Sequence, residues 1–306
     1  MTTSKNKAFP VDEIKELFET IEGYYNCPND ALAIQLISLN LLEEKNRKHA
    51  NAIGTFIKWA FSVSFLQMMN AWQWFLGGVL LGRQAYFPAQ SMQMYYYAIF
   101  FSELSFLAAQ LKGNYTLKIE HPDQNFLHDK KIRRSTWLDD TSAVICVEEV
   151  KGKGGDHEKT ARWFYNIFDS WDLKGKYPDI KAFIGEEKWH TYFRNLYTYS
   201  LGDIAEELYC APNLKSGIPS EALTLLWNRN QEAVDYFPEE FWALEYLKVV
   251  TELHLTTLNS SKTFFKKEQI RLLRTFYNHH RGSDLKTFLD FVFKPILPIV
   301  FGKKKL

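Results

Sequence analysis

Cysteine is scarce and scattered. Cys27, Cys146 and Cys210 are the only three in 306 residues and none stands in a Cys-x-x-Cys spacing, which argues against a disulfide scaffold or a thiolate zinc site. With 10 prolines and 15 glycines, punctuation is thin and long uninterrupted elements are expected. Neither sign of charge dominates: 37 Lys and Arg face 36 Asp and Glu, a net charge of +1. That balance excludes a whole-molecule polycation, and 46% hydrophobic residues exclude a disordered chain. The catalytic signatures GxxxxGK(S/T), GxGxxG after a strand, GxSxG and HExxH are all missing, so the sequence offers no P-loop, dinucleotide fold, nucleophile elbow or zincin helix. The N-terminal MTTSKNKAFPVDEIKEL carries no apolar core of a secretory signal, and the expected location is the cytoplasm.

What is abundant is aromatic: 9 Trp, 16 Tyr and 24 Phe, 16% of the chain. Many fall in a stretch without charge between Lys58 and Arg83 and in the segment after it; across 59–111 the only charges are Arg83 and Glu103. Residues 59–82 are long enough to span a bilayer. Their polar residues Gln67, Asn70 and Gln73 are central, however, and fall on one helix face, while Trp72 and Trp74 sit mid-segment and not at the ends. This pattern reads as a core helix with one polar stripe, ending near Gly77-Gly78 or Gly82. No membrane partner is expected; a membrane-associated helical protein is the competing reading of this stretch.

The remaining chain reads as mainly α: a multi-helix antiparallel bundle with a small β insert around residues 114–150. Helices are expected over 11–46, with a restart at Cys27-Pro28-Asn29-Asp30, and over Ala89–Leu111 after Phe87-Pro88. Asn114–Glu120 and Ala143–Val150 alternate like strands. A basic loop, His121–Arg134, lies between them. Lys151-Gly152-Lys153-Gly154-Gly155 reads as a loop or flexible hinge, and Asp156 as the N-cap of a helix over 157–171. Further helices are expected near 180–209, 220–234, 239–258, 262–278 and 284–301. The organisation is then 1–113, 114–155 and 156–306, or one continuous domain. His121, His128 and His157 share the irregular region with Asp123, Asp129 and Asp156, but their spacing enforces no ligand set, so neither a metal nor another cofactor is expected.

The segment richest in chemistry is 270–290. A helix carrying Ile270, Leu272, Leu273 and Phe276 runs into Asn278-His279-His280-Arg281-Gly282-Ser283. Gly282 suits a C-cap and Ser283 an N-cap of the next helix. Arg274 and His279 sit at its end, though five residues at about 100° each leave them about 140° apart unless the last turn loosens. Cations here also complement the helix dipole, so a capping role competes with a catalytic one.

Arg274-Thr275-Phe276-Tyr277-Asn278-His279, at a helix end before a polar turn, resembles the R-x4-6-H motif of the HEPN superfamily. Gln90–Phe100, with its Tyr95-Tyr96-Tyr97-Ala98 core, is similar to the aromatic helix of those domains. Together the two segments cover about 50 residues of the 306. The resemblance implies a helical, metal-independent endoribonuclease acting in phage defence or as a toxin, with a site composed across a homodimer. Arg274 would hold the scissile phosphate, His279 would act as base on or orient the 2′-OH, and Asn278 would assist. His280, Arg281, Lys267 and Arg271 would bind substrate. Thr275 departs from the family, which often places Asn, Asp or His after the arginine, and the two segments are further apart than in a minimal domain.

Charge distribution points the same way. Residues 262–305 hold 11 Lys and Arg but 3 Asp and Glu, whereas the rest of the chain holds 26 and 33. The basic patch coincides with the motif, the footprint of a phosphate-backbone partner. RNA is therefore the expected partner, with a protein inhibitor or activator in addition. A non-catalytic helical RNA- or protein-binding module of the same ancestry remains the alternative.

Overall fold

The computed structural model describes residues 64–84, 87–109, 117–118, 134–139, 144–149, 157, 160–161, 164–165, 168–169, 173–180, 218–260 and 264–302. The helices expected over 11–46 and most of 180–209 lie outside these residues. So do His121, Asp123, His128, Asp129, Asp156 and the tail Lys303–Lys305.

Helix α1 covers residues 64–79 and passes into a π-helical turn, Leu80–Gln84. The α-helical backbone ends one residue past Gly77-Gly78 and the π-helical turn contains Gly82, as expected, with Gly77 and Gly78 in the last turn of α1. Helix α2, Pro88–Ala109, runs back against this turn. A Cβ on Gly78 would stand 2.7 Å from the Tyr95 ring, and one on Gly82 would stand 2.6 Å from Ser91 Oγ. Hydroxyls stitch the pair: Ser91 Oγ donates to the Gly78 carbonyl at 2.7 Å, Ser64 Oγ to Ser105 O at 2.8 Å and Ser105 Oγ to Ser64 O at 2.7 Å. The uncharged stretch is core on one side, with Phe65, Trp72, Phe75 and Val79 buried. Its polar stripe turns outward: Gln67 and Asn70 are half-buried, Gln73 is exposed, and Asn70 Nδ2 donates to Gln67 Oε1 at 3.2 Å. No described helix is long and apolar enough to cross a membrane.

Helix α3 is Pro219–Trp227 and α4 is Pro238–Ser260. Both start on the proline, whose missing N–H costs nothing at a first turn. The helix expected over 220–234 stops early. Arg229 adopts a left-handed φ of 59°, its N–H bonds the Leu226 carbonyl at 2.9 Å and the Asn230 N–H bonds the Leu225 carbonyl at 2.9 Å. That pair of bonds is a Schellman closure, usually made with glycine. A 3-10 turn, Gln231–Ala233, follows. Arg229 is held by its side chain instead, which donates to Glu245 Oε2 at 2.7 Å and to the Lys176 carbonyl at 2.9 Å.

Helix α4 is central among the described residues. Residues 243–251 are all buried, the signature of a helix covered all round. It packs along α2, and its polar groups meet partners on several elements. Glu240 receives both Arg83 Nε (2.8 Å) and Nη2 (2.7 Å), Thr251 Oγ1 accepts from Trp72 Nε1 at 3.0 Å, and Glu252 accepts from Tyr177 at 2.8 Å. Phe164 and Phe168 face the same core, and one hydrophobic cluster runs from Phe65 to Val300.

Three short strands, β1 (Leu117–Lys118), β2 (Arg134–Asp139) and β3 (Val144–Glu149), pair antiparallel in that order, with Leu117 opposite Thr136 and Trp137 opposite Cys146. β1 and β3 fall within the two alternating segments, and β2 is the strand that alternation did not mark. The architecture remains mainly α.

The C-terminal helices are α5 (Phe264–His280), α6 (Lys286–Phe293) and α7 (Leu297–Phe301). The single helix expected over 284–301 is therefore two. Pro295 lacks the N–H that would continue α6, so the helix closes at Lys294, whose own backbone is still helical, and Pro298 opens α7 in its first turn. Ser283 is not the N-cap of α6; that position is Leu285. The Ser283 hydroxyl instead donates to the His280 carbonyl at 2.7 Å, beside the Ser283 N–H at 3.0 Å. Gly282 needs no left-handed backbone, since the positive-φ glycine of the described residues is Gly302.

Candidate nucleic-acid interface

The sequence of α5 is strongly two-faced. Leu273 and Phe276 are buried, with Ile270, Leu272 and Tyr277 packed against the core, while Lys267, Arg271, Arg274, Asn278 and His279 are exposed. Spacing of three and four residues between the apolar positions puts the cations and the motif on the solvent face.

Arg274 does not reach toward His279. Its Nε donates to the Val300 carbonyl at 3.0 Å and Nη2 bonds the same oxygen. Val300 lies at the C-terminal end of α7, where carbonyls lack helical partners and the dipole is negative, so a guanidinium caps it well. Among the described residues no hydrogen bond links Arg274 to His279. His280 packs its ring on Phe276 with centroids 4.9 Å apart. Burial, and secondarily the neighbouring His279, lower its pKa below the ordinary histidine value.

Beside the motif, a cleft of about 510 Å3 is lined by Tyr277, Asn278, Arg281, Lys286, Asp290, Lys294, Leu297 and Phe301. Of the expected site residues it includes Asn278 and Arg281. Arg274, His279, His280, Lys267 and Arg271 are not among its lining residues. Lys286, Lys294, Tyr277 and Phe301 were not expected; the signal for them was Pro295, which splits α6 from α7 and folds Phe301 back onto Tyr277. Those two rings meet edge to face, 5.1 Å between centroids. Lys286 forms an ion pair with Asp290 across one helical turn, and desolvation raises the Asp290 pKa. Arg281 and Lys294 are exposed, and neither has an ion-pair partner among the described residues.

Two other polar groupings could be mistaken for sites. Ser64 Oγ lies 3.0 Å from His254 Nε2 and Ser105 Oγ 3.4 Å from it, a serine–histidine contact of the kind used for nucleophilic catalysis. All three residues are fully buried. Both hydroxyls already donate to carbonyls, so the ring must donate Nε2–H, which is opposite to a general base. Desolvation lowers the His254 pKa to about 3. It is an internal pin between α1, α2 and α4. His157 is likewise structural: its Nδ1 lies 2.8 Å from Tyr96 Oη and its ring 3.9 Å from that of Phe100. No group of metal-ligating side chains occurs among the described residues.

No family model, curated protein or solved structure matches the chain.

Proposed function

We propose that this protein binds RNA across the basic face of its C-terminal helices. One observation carries the reading. Arg281 and Lys294, two exposed cations with no ion-pair partner among the described residues, flank an aromatic-walled cleft in the segment that concentrates the positive charge of an otherwise acidic chain. Unneutralised cations retain their full attraction for phosphate, and a local patch gives this without a polycationic whole.

The second reading extends the first: metal-independent cleavage of the HEPN kind, serving phage defence or toxicity. What favours it is His279, an exposed imidazole on the last turn of α5 beside that patch. Its ring could serve the 2′-OH, alone or facing a second copy in a homodimer. In this arrangement Arg274 reaches a phosphate only by sharing or leaving the Val300 carbonyl. The RNA-binding role therefore ranks first and catalysis second.

Anisotropy with a labelled 12-nucleotide single-stranded RNA in EDTA tests both, read beside a gel of the same samples. Binding that weakens steeply between 50 and 200 mM salt is expected. No binding at low salt contradicts the first reading. Cleavage in EDTA that disappears in His279→Ala supports the second; cleavage unchanged in that variant rejects the site.

A further inference from the structure

The cleft has features that a plain phosphate-binding surface does not need. A cationic face is enough to track a backbone, but here the cations edge a recess. Its volume of about 510 Å3 exceeds what a bare phosphate fills and suits a group the size of one nucleotide. One side is apolar, formed by Leu297 and the edge-to-face Tyr277–Phe301 pair. The polar side carries Asn278, whose amide bonds no other described residue and supplies both donor and acceptor. Arg281 and Lys294 have no ion-pair partner among the described residues, while Lys286 is already balanced by Asp290.

We infer that this cleft holds one unstacked nucleotide of a single-stranded RNA, with the base against Tyr277 and Phe301 and the phosphate on Arg281 and Lys294. The inference rests on the RNA-binding reading and gives it an address and a substrate class. Aromatic surface binds any base by its π-face, Asn278 can meet a base edge, and two flexible cations can follow the backbone on either side. A duplex keeps its bases stacked and paired, so its nucleotides cannot enter such a recess. Arg274 acts here as a positioning residue. By capping the Val300 carbonyl it ties α7 to α5, and α7 supplies Leu297 and Phe301.

The test uses 4-thiouridine monophosphate as a photo-crosslinking probe, with adducts mapped by mass spectrometry, beside anisotropy with single- and double-stranded 12-mers. An adduct on Tyr277 or Phe301, competed by unmodified UMP, is expected. In Arg281→Glu/Lys294→Glu, adduct yield and single-strand affinity should each fall about tenfold or more; both residues are exposed, so folding should survive. Single strands should bind at least tenfold better than duplex at equal salt. Adducts elsewhere, or yield undiminished in the double variant, overturn the cleft assignment. If RNA then still binds and is lost in Lys267→Glu/Arg271→Glu, RNA binding stands and only the cleft fails. If the probe enters the cleft but no RNA binds, the RNA reading falls and the cleft is a mononucleotide site. Arg274→Lys should recover much of the single-strand affinity lost in Arg274→Ala, because a lysine can still donate to Val300.

Discussion

Glu103 and His254 are both fully buried, and burial moves them in opposite directions. Desolvation raises the Glu103 pKa well above the ordinary carboxyl value, which favours its neutral form in the folded protein. Its folded pKa exceeds its unfolded one, so its contribution is complete at acidic pH and is lost as pH rises. Glu103→Gln mimics the neutral carboxyl. The stability of the variant relative to the parent should therefore improve as pH rises above the ordinary carboxyl value in urea unfolding; a difference constant with pH contradicts this. His254, lowered to about 3, behaves in reverse. The unfolded state takes up a proton near 6.5 that the folded state refuses, so stability drains away as pH falls from about 6.5 toward 3. Replacing His254 with Gln should flatten that part of the profile, at a stability cost of about 1–3 kcal/mol at pH 7 from the disturbed hydroxyl pin.

Between elements, Arg83 and Glu240 tie the turn after α1 to the start of α4, and both side chains are almost wholly buried. Removing one partner leaves the other charged in the core. Arg83→Met should cost about 3–5 kcal/mol, and Arg83→Met/Glu240→Leu should recover a large part of that, since desolvation is then avoided. Chemical denaturation of both variants provides the comparison. Arg274 does a smaller job at the other end. Arg274→Ala should lower global stability by about 1 kcal/mol and speed amide exchange in α7 far more than in α4; unchanged exchange in α7 would show that the cap on Val300 is unimportant.

Across the whole molecule, helices were legible where apolar spacing and proline starts coincide. Pro219 and Pro238 open α3 and α4, and the uncharged stretch became core. The glycines at 77, 78 and 82 marked the end of α1, but their close approach to Tyr95 and Ser91 of another helix is recorded by no local pattern. Ser283 was ambiguous between two neighbouring helix ends, and the hydroxyl went to the earlier one. The basic character of the C-terminal face could be read from the sequence, as could Asn278 and Arg281 beside it. The cleft itself could not, because its walls come from three helices whose separation depends on Pro295. The partner of Arg274 was also hidden: Val300 is 26 residues away and offers only a backbone carbonyl.

The central claim is that RNA is held by this C-terminal face, and matched charge reversals locate it most directly. Arg281→Glu/Lys294→Glu should weaken binding of a single-stranded 12-mer at least tenfold at 100 mM salt. Lys130→Glu/Lys131→Glu, the same change of charge in the basic sequence before β2, should leave affinity within about twofold. Equal losses in both variants, or the larger loss in the loop variant, would contradict the account.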